Sequence, residues 1–176
     1  MAAVTESIIL GGGCFWCLEA SFELIKGVVK VTPGYAGGSA PAPTYESVAS
    51  KKTGHAEVVK VEFDPSSISL TDILDIFWAI HDPTTPNRQG NDIGPEYRSI
   101  IIYSPPQKDK VRTSIQRAQK LWSKPIVTEL QTGSMFYEAE PEHHNFFQKN
   151  PEIAYCQVII NPKLQKLRQK FSAHLR

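Results

Sequence analysis

Apolar residues along the first half of the chain recur at two spacings, one suited to strands and one to helices. Residues 7–10 form a short apolar run closed by Gly11-Gly12-Gly13, which predicts a buried strand and a tight turn. Beyond it Phe15, Leu18, Phe22 and Ile25 step by three, four and three residues, one stripe of an amphipathic helix. That helix is predicted from about Cys14 to Lys26, with Gly27 as its stop. A strand over 28–32, a Pro- and Gly-rich loop over 33–43 and a helical turn at 45–49 follow. In 55–63, Val59, Val61 and Phe63 share one face and Lys60 and Glu62 the other, the period of a strand.

Ser69 reads as the cap of a helix reaching Ile80, with Ile73, Leu74 and Phe77 inward and Asp72 in the first turn. The segment 82–96 carries Pro83, Pro86, Gly90, Gly94 and Pro95, and is longer than an ordinary connection, a length often tied to function. A strand at 98–103 leads to Ser104-Pro105-Pro106-Gln107, a serine cap with proline first and glutamine third, opening a helix to about 122. Another strand is predicted at 126–130, then short helices alternating with the apolar run Val158-Ile159-Ile160. No internal repeat or linker interrupts the order. It predicts an α/β (α+β) fold, one domain over 1–176: a split βαβ, ferredoxin-like mixed or antiparallel sheet with helices packed on it.

Charge narrows the function classes. Nineteen basic and 18 acidic residues give a net charge of +1, no field for nucleic acid or an anionic membrane. Lys163, Lys166, Arg168 and Lys170 read as the solvated face of a terminal helix. With no leader-like start and no apolar run of about 18 residues, a cytoplasmic protein is expected, away from any membrane. Thiols are kept reduced there, so three cysteines suggest redox chemistry, metal binding or burial rather than a disulfide framework.

Cys14 stands where the glycine turn enters a helix. Free backbone N–H groups and the helix dipole would stabilise a thiolate there, lowering its pKa; a buried structural thiol is the competing reading. Trp16 projects away from the Phe15 stripe, as a wall for an apolar ligand or as packing against a loop. Phe15 itself reads as core. Glu57 shares the apolar face of Val59, Val61 and Phe63. Desolvation there would raise its pKa and favour the neutral acid, unless the strand frays at its start. His55 reads as a loop histidine. Cys17, three residues past Cys14, allows a local disulfide or a shared metal, but zinc needs two more ligands and no second C-x-x-C exists. The adjacent His143 and His144 do not have metal-ligand spacing, and Cys156 reads from spacing alone as a core thiol.

Together these residues resemble a known family. Gly13-Cys14-Phe15-Trp16-Cys17-Leu18-Glu19 is similar to the G-C-F-W-x-x-E signature of A-class peptide methionine sulfoxide reductases. The likeness continues in order through Gly34–Gly38 (GYAGG), Pro43-Thr44-Tyr45, Thr53-Gly54-His55-Ala56-Glu57 and His81-Asp82-Pro83-Thr84-Thr85. It then runs through Arg88-Gln89-Gly90-Asn91-Asp92, Tyr97-Arg98-Ser99, Phe136-Tyr137-Glu138-Ala139-Glu140 and Asn150-Pro151, spanning about residues 8–156. The resemblance implies reduction of methionine S-sulfoxide, free or in proteins, with Cys14 as nucleophile and Glu57 as main acid. It further implies help from Tyr45 and Tyr97, orientation of that polar set by Asp92, and an apolar pocket for the methyl group at Phe15 and Trp16, giving Phe15 a role beyond the core.

A sulfenic acid on Cys14 would condense with a second cysteine, and thioredoxin would reduce the disulfide. Cys156 matches a resolving position in the family, but lacks the glycine-rich tail that often follows it; Cys17 is the alternative, and Cys156 is preferred. Oxidised proteins or free methionine sulfoxide and thioredoxin are the implied partners of an expected monomer, with no metal and no organic cofactor. Two rivals stand beside this reading: a thiol–disulfide oxidoreductase built on Cys14 and Cys17, and a zinc-stabilised interaction domain.

Overall fold

The computed structural model describes residues 4–176. The chain forms β1 (Glu6–Gly11), α1 (Phe15–Phe22), β2 (Val28–Ala36), α2 (Tyr45–Ala49), β3 (Ala56–Phe63) and α3 (Leu70–Ile80). A two-residue hairpin follows, β4 (Arg88–Gln89) with β5 (Asp92–Ile93), then a 3₁₀ turn (Pro95–Tyr97) and β6 (Ile100–Ile102). The remainder is α4 (Lys108–Gln119), β7 (Glu129–Gln131), β8 (Phe136–Glu138), α5 (Phe146–Lys149), a π-helical turn (Cys156–Ile160) and α6 (Asn161–Lys170). No described helix is long and apolar enough to cross a membrane.

Six strands form one mixed sheet in the order β7-β6-β1-β3-β2-β8. Within the sheet, only the β6–β7 pair is parallel. Two βαβ units interleave: β3 lies between β1 and β2, and β1 lies between β3 and β6. Each unit's strands are therefore paired through a strand of the other. The alternation in β3 sorts its side chains as expected. Val59, Val61 and Phe63 enter the main core with Phe15, Leu18, Phe22 and the α3 residues Ile73, Leu74 and Phe77. Ala56 and Val58 face a smaller cluster with Ala36, Ile100 and Ile102. The chain has two methionines, Met1 and Met135, and Met135 is exposed.

Local signals set several boundaries. The Ser69 hydroxyl accepts from the Asp72 N–H at 3.1 Å, and the Ser104–Gln107 capping box forms as predicted, opening first a 3₁₀ turn and then α4. Elsewhere long-range pairing prevails. α1 ends at Phe22, where the chain turns so that Ile25 bridges to Leu175. β2 continues through Pro33 and Gly34, which locally signal a loop, because β3 and β8 flank it on both sides. The Pro33 carbonyl accepts from the Ala139 N–H at 2.9 Å, so its missing donor leaves that side of the ladder intact. β8 itself, only three residues, carries no readable alternation. β7 lies three residues later than predicted at its start, and α4 ends at Gln119. Val158-Ile159-Ile160 belong to the π-helical turn, with Val158 67% exposed and Ile160 buried.

Candidate active site

The loop from β1 to α1 is held from two sides. A side chain at Gly12 would meet the His81 ring at 2.7 Å, and Gly13 has φ +91°, a conformation open mainly to glycine. His81 is itself fixed: Nδ1 donates to the Phe77 carbonyl at 2.6 Å and Nε2 accepts from the Ser99 hydroxyl at 2.7 Å. Burial pushes its pKa down to about 4, so the ring is neutral. The Gly13 N–H donates to the Tyr97 carbonyl at 3.2 Å. Cys14 is thereby fixed as the residue capping α1, with extended φ and ψ.

Cys14 is 8% exposed and its thiol lies well above the usual range. Burial is the main cause, followed by the nearby Glu57 carboxyl and Cys17. This reverses the helix-dipole expectation. The hydrogen bond from the Trp16 backbone, which favours the thiolate, does not offset desolvation beside acidic groups. Glu57 is 2% exposed, and burial raises its pKa to about 8. It accepts from the Phe15 N–H at 3.1 Å and lies close enough to Cys14 for each group to shift the other. Its pairing opposite Tyr35, inside β3, rules out a frayed strand start. At neutral pH the pair holds both protons: a thiol against a carboxylic acid.

Phenols surround the pair. Tyr45, half-buried, is raised to about 12 by burial and then by Glu57 and Cys14. Tyr97 and the fully buried Tyr35 are pushed up as well, burial again first. All three are therefore hydrogen-bond donors at neutral pH. Phe15 is buried, with its ring 5.7 Å from Tyr35, 6.4 Å from Tyr45 and 5.4 Å from His143. Trp16 is partly buried and stacks on Phe146 at 3.6 Å, while its Nε1–H donates to His143 Nδ1 at 3.1 Å. One indole face is thus covered by the chain itself.

Asp92, on β5, accepts from the Tyr155 hydroxyl at 2.8 Å, and that same hydroxyl lies 3.7 Å from the Cys17 sulfur. A cleft of about 470 Å³ opens beside Cys14, between Gln89–Asp92 and the segment carrying Tyr155, Ile159 and Lys163. Cys17 and Cys156 are both buried free thiols; burial raises each, and Cys17 lies near enough to feel the charge of Cys156. His55 is a strut, accepting from the Gly38 N–H and donating to the Ala40 carbonyl.

Tyr155, His143, Glu140 and Glu96 join the site without having stood out in the sequence as contributors to it. Tyr155 has only its position beside Cys156 as a signal, and Glu96 its place inside the long loop. Glu140, His143 and Glu142 bring ligand atoms within 4.8 Å of one another. Glu140 already accepts from the Tyr35 hydroxyl and the Tyr45 N–H, and His143 from Trp16, so hydrogen bonds account for two of the three.

A buried thiol beside a carboxylic acid, with two further thiols on neighbouring segments, suits a cysteine-dependent oxidoreductase. The profile of one such family, described as peptide methionine sulfoxide reductase, matches residues 6–175, and the chain belongs to that family. It is 53% identical over 167 residues to the peptide methionine sulfoxide reductase MsrA of Sulfolobus acidocaldarius, covering 94% of this chain and 95% of that one. The Thermus thermophilus MsrA is 46% identical over 172 residues, with 97% and 98% covered. Among solved structures, reduced Mxr1 from Saccharomyces cerevisiae superposes with a TM-score of 0.81 at 33% identity, covering 86% of this chain and 89% of that one. Mxr1 in complex with Trx2 matches with a TM-score of 0.58 at 26% identity, covering 81% and 84%. The protein is a peptide methionine sulfoxide reductase of the A class.

Proposed function

We propose that the enzyme reduces the S epimer of methionine sulfoxide, free or in proteins, using Cys14 as nucleophile and Glu57 as the principal acid. The observation that carries this reading is the buried Glu57, held by the Phe15 N–H at the head of α1 beside Cys14 and kept neutral by its burial. The Cys14 sulfur attacks the sulfoxide sulfur as Glu57 protonates the sulfoxide oxygen, with Tyr45 and Tyr97 as further donors. The hydroxyl then moves from the substrate sulfur to the Cys14 sulfur as the substrate's S–O bond and the new S–S bond break. Methionine leaves, reduced by two electrons, and Cys14 is left oxidised as a sulfenic acid. The thiol proton passes to the oxygen through Glu57, so atoms and charge balance. Phe15 and Trp16 form the apolar wall for the methyl group, and Asp92 orients the polar set through Tyr155. A purely thiol–disulfide reaction would leave Glu57 without a task.

A second thiol then displaces water from the sulfenic acid and forms a disulfide. Resemblance favours Cys156, but the folded chain favours Cys17. Cys17 sits one helical turn from Cys14, its N–H donating to the Cys14 carbonyl at 3.1 Å, and Cα atoms at that spacing lie ~5 Å apart, within the Cα range of a disulfide. Cys156 is buried in the π-helical turn and acts on Cys17 rather than Cys14 among its neighbours, so on this reading its delivery to Cys14 takes an opening of that turn. A thioredoxin returns the thiols to their reduced state, a partner supported by the likeness to Mxr1 in complex with Trx2.

Purified protein with dithiothreitol is expected to consume only one epimer of a methionine sulfoxide peptide, read by chiral separation; turnover of neither would sink the proposal. Peptide mapping after one turnover without reductant is expected to find a Cys14–Cys17 link. A Cys14–Cys156 link instead would make the π-helical turn the moving part.

A further inference from the structure

Glu96 is a buried carboxylate, 1% exposed, that the proposed reaction does not use. Its two oxygens lie 3.1 and 3.0 Å from the Lys51 ammonium, which also donates to the Ile93 carbonyl at 2.8 Å and sits 5.8 Å over the Tyr97 ring. Lys51 thus ties together β5, next to Asp92, and the 3₁₀ turn that carries Tyr97. The backbone makes two concessions to this contact. Lys51 has φ +69°, a left-handed conformation that is strained for a non-glycine residue. Gly94, at φ +144°, has no room for a side chain, since a Cβ would overlap both Glu96 Oε1 and Lys51 Nζ.

We propose that the Lys51–Glu96 pair is a positioning device for this reaction, which locks the 3₁₀ turn carrying Glu96 and Tyr97 against β3 and sets the charge that Glu57 faces. This rests on the reading of Glu57 as the acid. Groups facing Glu57 are Cys14 at the head of α1, Tyr35 on β2, Tyr45 on α2, Asp92 on β5, and Glu96 and Tyr97 on the 3₁₀ turn. Three phenols and a thiol, all pushed toward their neutral forms, leave Asp92 and Glu96 as the other acidic side chains in that shell. Burial is the largest cause of the raised Glu57 pKa, and Glu96 is the larger of these two carboxylate contributions. Glu96 makes no hydrogen bond to Cys14 and does not line the cleft beside it; its charge is felt at Glu57 and at Tyr45.

The sign follows from like-charge repulsion: the Glu96 anion disfavours ionised Glu57, and neutralising Glu96 makes Glu57 lose its proton at lower pH. Glu96→Gln is nearly isosteric and keeps an acceptor for Lys51. It is expected to move the alkaline limb of the kcat/KM profile down by about half to one pH unit, about three- to tenfold lower kcat/KM on that limb. Lys51→Gly relieves the left-handed backbone, leaves the Glu96 charge uncompensated, and is expected to move the limb the opposite way. Lys51→Arg is expected to keep it in place. A merely structural pair would lower stability without opposite displacements, and a limb that stays put in both Glu96→Gln and Lys51→Gly overturns the proposal. If Glu96→Gln does not fold, Lys51→Gly alone decides. The acid role is tested apart: turnover and limb unchanged in Glu57→Gln remove that role. Carbon-13 titration of the Glu57 carboxyl in Glu96→Gln then still reports whether the pair controls its proton.

Discussion

Glu57→Gln is expected to slow the sulfoxide-reducing step by about 10²–10⁴-fold, the usual contribution of a positioned acid, while leaving the fold intact. Glutamine fills the same volume and still accepts from the Phe15 N–H, but it cannot release a proton to the sulfoxide oxygen. The alkaline limb of the pH–rate profile, expected near pH 8 in the parent enzyme, should vanish with it. Stability should move the other way. Glu57 keeps its proton in the folded state up to about pH 8, whereas the unfolded chain releases it near pH 4.5. Folding stability from this group is therefore complete below the unfolded value and is lost as pH rises from there to about 8. Removing the carboxyl cancels that loss. Glu57→Gln should be about 1–3 kcal/mol more stable than the parent at pH 7 and no more stable at pH 4. Single-turnover kinetics and thermal unfolding at the two pH values measure both effects. Parent-like turnover would remove the acid from the mechanism.

Cys14→Ser should abolish turnover, by about 10⁴-fold or more, because a hydroxyl is a far weaker nucleophile and cannot carry the oxygen away as a sulfenic acid. No disulfide should form on exposure to methionine sulfoxide, whichever second thiol normally responds, and mass spectrometry of the intact chain reads this directly. Thermal unfolding should remain close to the parent, since serine fits the same extended site at the head of α1. Residual turnover above a hundredth of the parent's rate would transfer the nucleophile's role to another thiol.

Part of the site is legible in the amino-acid sequence itself. Cys14 at the glycine turn and Glu57 on an apolar face depend on local spacing, and local spacing survives folding. The Ser69 cap and the Ser104–Gln107 box are legible for the same reason. What is not legible depends on partners far along the chain: Trp16 with His143 across 127 positions, Tyr155 with Asp92 across 63, and Glu96 with Lys51 across 45. β8 and the extension of β2 likewise exist because each supplies the other's hydrogen bonds. The Cys14 shift runs against its sequence-based sign for a different reason. The dipole of a helix end is visible in sequence, whereas the degree of burial and the number of acids facing one sulfur are not.

Met135 is the one methionine in residues 4–176, and it lies on the surface, so the packed interior is built of branched aliphatics and aromatic rings. Oxidants that turn methionine into its polar sulfoxide disrupt cores that use thioethers as filler. Here such damage can strike only at the periphery of the described chain. The conditions that create work for this enzyme thus leave the described interior without a thioether to lose, and the one side chain open to that damage lies where its oxidation disturbs no packing.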